Sequence, residues 1–160
     1  MINIRLPLKM KFISKVFFCF AIFFSLASCQ EKQPEDTSVP GGLTGLNHTK
    51  VGIPAFYVNG KWGGDIDAMG GGGSSVCCVS MPREYPKEGI KVKVRWNASD
   101  TLEQHWFEKE VLVDPYPVGG GDVFVHFLPE QKVVVIVSNL YPEDPDSPGP
   151  GIPGEERNKR

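Results

Sequence analysis

Adjacent cysteines at 77 and 78, histidines at 48, 105 and 126 and carboxylates at Asp65, Asp67 and Asp122 are the side chains of this 160-residue chain that could support redox, metal or acid–base chemistry. Their spacing gives that chemistry little support. No CxxC pair and no adjoining His accompanies the cysteines. The histidines and carboxylates fall at no recognised ligand interval, although strand pairing could still gather His48, Asp65 or His126 around a pocket. His126, among apolar neighbours in Val-Phe-Val-His-Phe-Leu, reads as a hydrogen-bonded strand residue, and Asp65-Ile66-Asp67 as a solvated turn. The run from Met69 through four glycines to Ser75 lacks the Gly-Lys-Ser/Thr ending and the following helix of a phosphate-binding loop, so it reads as a strand connection. No serine sits in a Gly-x-Ser-x-Gly elbow. We therefore expect a non-enzymatic protein with no catalytic residue, metal site or cofactor.

A second kind of chemistry lies at the N-terminus. Arg5, Lys9, Lys11 and Lys15 precede an 11-residue apolar run, Val16 to Leu26. A permanent membrane helix needs about 18 or more apolar residues, so the run suits the core of a secretory signal peptide. Leu26-Ala27-Ser28-Cys29 follows and resembles the lipobox of bacterial lipoproteins: an aliphatic residue, two small residues that fit a peptidase site, and a thiol that can carry a thioether-linked diacylglycerol. Residues 1–28 are expected to be removed, with translation starting at Met1 or Met10 and Cys29 lipidated and palmitoylated. Several acyl chains together give durable attachment, whereas one alone is marginal. Gln30 in place of Asp favours the outer membrane, facing the periplasm, by analogy with enteric lipoprotein sorting.

Removal of the leader takes four of the 17 basic residues and none of the 19 acidic ones, leaving a net charge of −6. That balance disfavours nucleic acid, which requires clustered cations. It also leaves Cys77 and Cys78 as the thiols to explain in an oxidising compartment. Neighbours in an extended strand point to opposite faces, so a vicinal disulfide in a tight turn, buried reduced thiols and an intermolecular bond all stay open.

The remaining chain divides by composition. Glu31 to Gly42 is polar with Pro and Gly and reads, with Cys29, as a flexible tether over 29–42. Residues 141–160 contain five prolines and almost no large apolar side chains, and read as a disordered or extended Pro-rich tail. Between them, 43–140 is β-patterned. Lys91 to Trp96 alternates polar and apolar, Ile53 to Val58 runs into the hairpin signal Asn59-Gly60, and Val123–Leu128 and Lys132–Ser138 flank a short Pro-Glu-Gln connection. Trp106–Val113, Val76–Ser80 and a weaker Leu43–Lys50 supply further strands, while Ser99–Lys109 holds at most a helical turn. The expected fold is all-β, a small antiparallel sandwich or barrel.

Asn47-His48-Thr49, Tyr57-Val58-Asn59-Gly60-Lys61-Trp62-Gly63-Gly64, Gly70 to Gly73, Val76-Cys77-Cys78-Val79, Val94-Arg95-Trp96 and Val125-His126-Phe127-Leu128-Pro129 together resemble a family of Gram-negative lipoproteins classed as a domain of unknown function. The resemblance covers Leu43 to Ser138. It implies a neighbour of type VI secretion phospholipase effectors, and so an immunity protein whose partner is a lipase. It supplies no catalytic residues. Trp62, beside Asn59-Gly60, is the expected partner contact if it is exposed, because aromatic anchors often dominate interfaces; the alternative is Trp62 buried under the sheet. An envelope enzyme or small-ligand binder near the Gly-rich loops and a purely structural lipoprotein are the other classes.

Overall fold

The computed structural model describes residues 37–71, 76–98 and 105–154. The leader, Cys29, most of the tether and much of Ser99–Lys109 lie outside the described residues. Among the described residues the chain forms eight strands: β1 (Ser38–Asn47), β2 (Ile53–Val58), β3 (Lys61–Ile66), β4 (Val76–Pro82), β5 (Lys91–Asn97), β6 (Trp106–Leu112), β7 (Asp122–Leu128) and β8 (Lys132–Ser138). They make two four-stranded sheets, ordered β4-β1-β7-β8 and β3-β2-β5-β6. The fold is an all-β sandwich, and no helix among the described residues is long and apolar enough to cross a membrane.

Local sequence accounts for the second sheet. In β5, Val92, Val94 and Trp96 are buried while Lys91, Lys93 and Arg95 face water, as period-two alternation requires. Asn59 and Gly60 take φ values of 48° and 79°, the left-handed geometry a two-residue hairpin needs. The tip is pinned to β5, since Lys93 N donates to Asn59 Oδ1 at 2.8 Å and Asn59 N donates to Lys93 O at 2.9 Å.

The first sheet departs from the sequence reading in two ways. β1 starts at Ser38, inside the expected tether, because it is an interior strand paired to β4 on one side and β7 on the other. Its breaker-like residues have tertiary uses. Pro40 sits beside a bulge in the β4 pairing, where a missing N–H is tolerated. A Cβ at Gly41 would run into the Gly121 carbonyl. The second departure is that β1 and β7 run parallel, whereas the other strand pairs are antiparallel. The chain between them passes through the whole second sheet, which supplies the long crossover a parallel pair demands. Along one side the sheets are joined where Val113 bridges Val135.

The main core lies between the sheets. Phe56 is fully buried, with its ring edge-on to Phe127 at 5.4 Å, and Trp96 lies 5.7 Å from the same Phe127 ring. Each such side chain contributes about 1.5–3 kcal/mol when fully buried. The ring of Phe56 also explains two glycines: a Cβ at Gly45 or at Gly63 would collide with it.

A second cluster, Leu46, Phe124 and Ile136 with Val134 and Ile152, lies on the outer side of β1, β7 and β8. Its cover is the Pro-rich tail, which differs here from the disorder expected of its composition. Residues 141–154 form no strand or helix and run as turns and bends. Tyr141 meets Phe124 edge-on at 6.4 Å, and Ile152 packs on the cluster. A Cβ at Gly149, where φ is 95°, would collide with Ile136. The tail lacks a core of its own and is ordered by apolar residues that the strands turn outward. Residues 155–160 lie outside the described residues.

Substituting Gly63→Ala should force Phe56 aside and lower unfolding free energy by about 1–3 kcal/mol. Lys61→Ala, exposed beside the turn of the same hairpin, should stay within about 0.5 kcal/mol. Urea denaturation of the two variants checks both values.

Candidate functional site

Asn47 ends β1 fully buried and uses its whole amide. Nδ2 donates to the carbonyls of Val51 at 2.7 Å and Asp67 at 3.0 Å. Oδ1 accepts from the Thr49 backbone N–H at 3.0 Å and lies 2.8 Å from the Thr49 hydroxyl. A buried amide left unpaired would be costly, so this Asn is held by the turn it organises. The backbone continues the link, with Asn47 N donating to Gly70 O and Met69 N to Thr49 O, both at 2.8 Å. The start of the glycine-rich run is thus tied to the end of β1; residues 72–75 lie outside the described residues.

His48 follows and brings two of the singled-out histidines together. Its Nε2 lies 3.0 Å from His126 Nδ1, and the ring centroids are 5.3 Å apart. One nitrogen donates and the other accepts, so the contact requires that at least one of the two rings be neutral. Burial pushes the His48 pKa below its ordinary value. His126 is 1% exposed and lies beneath the tail at Gly149.

The other candidates do not join this pair. Asp65 is exposed on β3 in the opposite sheet, Asp67 contributes its backbone carbonyl to Asn47, and His105 is exposed before β6. Asp122 Oδ1 accepts the Gly42 N–H at 2.7 Å, which fixes β1 beside the start of β7. Among the described residues, no group of three or more His, Cys, Asp or Glu could hold a metal ion. Cys77 and Cys78 are joined in a vicinal disulfide across a cis peptide bond on β4, the edge strand of the first sheet.

A cavity of about 450 Å³ lies between the tail and the first sheet. Leu46 and Phe124 line it together with Met69, Tyr141, Ile152 and Glu143. Its position follows from the tail, so composition alone gave no sign of it.

The outer face of the second sheet is different in kind. Trp62 is 52% exposed on β3 and sits opposite Tyr57 in the strand register. Tyr57 pairs in turn with Arg95, and the Arg95 guanidinium lies 4.3 Å from the centre of the Trp106 ring. Arg95 and Trp106 were missed in the sequence. The signal was there: Lys-Val-Lys-Val-Arg on β5 and Trp-Phe-Glu-Lys-Glu on β6 alternate so that Lys, Arg, Glu and Trp share one face.

A two-sheet β sandwich whose motif segments mostly build its core, with Trp62, Trp106 and the ion pairs of β5 and β6 turned to water, is the class of protein these features define. Residues 46–135, more than half of the chain, match the family described as "Protein of unknown function (DUF3304)", and the chain belongs to that family. No curated protein and no solved structure matches it. Several segments that carry the family resemblance meet in the fold: His48 N donates to Phe127 O at 2.8 Å, and Trp96 and Phe127 meet in the core.

The depressed pKa of His48 predicts a pH-dependent stability with a defined sign. An unfolded chain takes up a proton at His48 near pH 6.5, while the folded chain does so only at lower pH. The stabilising contribution is therefore complete above about pH 6.5 and is lost as pH falls from there through the folded value. Thermal melts should show a lower Tm at pH 5 than at pH 7.5, and His48→Gln should reduce that difference.

Proposed function

We propose that this chain is a lipid-anchored protein of the bacterial envelope, attached through Cys29 and carrying its sandwich as a non-enzymatic binding domain. The observation that carries the reading is the exposed Trp62 on a hairpin whose tip is hydrogen-bonded to β5. A large aromatic side chain at the surface, carried by a hairpin whose backbone is fixed, offers a large apolar area, which suits an interface anchor. The leader and the Leu-Ala-Ser-Cys segment support attachment to the outer membrane, with the domain facing the periplasm. The resemblance to lipoproteins encoded beside type VI secretion lipases supports one partner above others, a phospholipase effector that the domain neutralises by occlusion. The cavity beneath the tail favours a second reading, a small-ligand binder, because its volume falls in the range of ligand pockets.

Two measurements test the first reading. Metabolic labelling with an alkyne fatty acid should mark the wild-type chain and not Cys29→Ser. Deleting the gene while an adjacent phospholipase gene stays intact should cause self-intoxication that the wild-type chain reverses. Normal growth of the deletion strain in competition with its effector-bearing parent would sink the immunity role.

A further inference from the structure

We propose that the end of the sandwich at which β1 begins rests on the lipid bilayer that holds Cys29, with Val118 at its tip entering the interface. This rests on the reading of Cys29 as the membrane anchor and names the surface that faces the membrane.

The length of chain outside the sandwich carries the argument. Because β1 begins at Ser38, only eight peptide units separate Cys29 from Thr37. Eight residues span at most about 29 Å when fully extended. The ten residues of β1 are themselves about 30 Å long. Turning the sandwich over, with the far end of β1 on the bilayer, would exhaust the extended tether. The end that carries Thr37 is therefore the one held at the membrane.

The same end presents apolar groups to water. Arg83 N donates to Thr37 O at 3.1 Å and Gly119 N donates to Arg83 O at 2.8 Å, which sets Val118 beside the entry of the tether. Val118 is 68% exposed, the most exposed large apolar side chain among the described residues. Tyr116 holds its loop: the ring is buried edge-on to Tyr85, and the hydroxyl donates to Pro82 O at 2.6 Å. Pro115 and Pro117, on either side of Tyr116, are exposed and have no N–H to desolvate. Leu140 and Leu112 stand exposed on the flanks. Leu140 follows Asn139, whose Nδ2 donates to Gly120 O at 3.2 Å, and Leu112 closes β6 opposite Lys91.

Charge at this end favours insertion over attraction. Loops 83–90 and 113–121 carry two basic residues, Arg83 and Lys87, against three acidic ones, Glu84, Glu88 and Asp114. Recognition of anionic headgroups uses clusters of about 4–8 cations, so this end should meet neutral and anionic bilayers alike. The acyl chains supply the attachment, and the apolar loop sets the orientation. Trp62 stays clear of the bilayer. The strand register puts Trp62, Tyr57, Arg95 and Glu108 in one row, and Leu112 lies four residues beyond Glu108 toward the membrane, about 13 Å. Trp62 is thus left for a protein partner just above the membrane surface.

The test uses the lipidated full chain on vesicles of phosphatidylcholine, with and without phosphatidylglycerol. A nitroxide is attached at Val118→Cys and, in separate chains, at Glu108→Cys on the sheet face and Lys132→Cys at the opposite end. With Cys29 lipidated and Cys77–Cys78 joined, the introduced thiol is the one labelled. Collision rates with oxygen and with a water-soluble nickel complex report depth. The label at 118 should lie about 5–10 Å into the boundary of headgroups and acyl chains on both kinds of vesicle, while the labels at 108 and 132 stay in water. An unchanged Tm in each variant reports an intact fold. Equal nickel access at 118 and 132, or a deeper label at 108 or 132, would overturn the proposal. So would spin–spin broadening at 118 that grows with protein density, which would give this end to a second copy. A wild-type chain that does not sediment with vesicles overturns the anchor reading and the orientation with it. A chain that sediments with its 118 label in water overturns the orientation alone.

Discussion

Strands β1, β7 and β8 present apolar side chains on both faces, and the rest of the structure follows from the need to cover both. Val123, Val125 and Phe127 point into the main core, while Phe124 joins Leu46 and Ile136 on the other side. The second sheet covers the inner face. The turns of residues 141–154 cover the outer one, bringing Tyr141 and Ile152 onto a cluster that would otherwise meet water. Leaving several large apolar groups exposed costs about 1.5–3 kcal/mol each, enough to order a segment with little cohesion of its own.

That arrangement divides the molecule by task. The first sheet, enclosed on both sides, holds the buried polar features: the Asn47 amide, the His48–His126 contact and the cavity under the tail. The Asn47 amide is satisfied by the turn it organises, and His48 and His126 meet each other. Among the described residues the second sheet is enclosed on one side only, and its other face carries Trp62, Tyr57, Arg95 and Trp106.

What could be read from the sequence was what local chemistry decides. The alternation of β5, the Asn59-Gly60 turn and the β7–β8 hairpin depend on neighbouring residues, and the structure places them as expected. Long-range packing decides the rest. The entry of β1 at Ser38 was hidden because Pro40 and Gly41 look like breakers until the neighbouring bulge and the Gly121 carbonyl are known. The parallel pairing of β1 with β7 and the meeting of His48 with His126 join segments 78 residues apart in the case of the histidines. The ordered tail left one trace, in β7 and β8. Asp-Val-Phe-Val-His-Phe-Leu and Lys-Val-Val-Val-Ile-Val-Ser do not alternate, and continuous apolar runs mark strands covered on both faces. Trp62 was open between a buried and an exposed position; its place on the outer side of the hairpin, opposite Tyr57, is the exposed one.

The dependence of the first sheet on its outer cover is most directly measured by ending the chain after Leu140 and comparing thermal melts and binding of an apolar dye with those of the full chain. Loss of the tail should lower Tm by at least about 5 °C, since each kcal/mol is worth several degrees in a domain of this size. It should also expose Leu46, Phe124 and Ile136 to the dye. An unchanged Tm with no dye binding would contradict the view that the tail completes the fold.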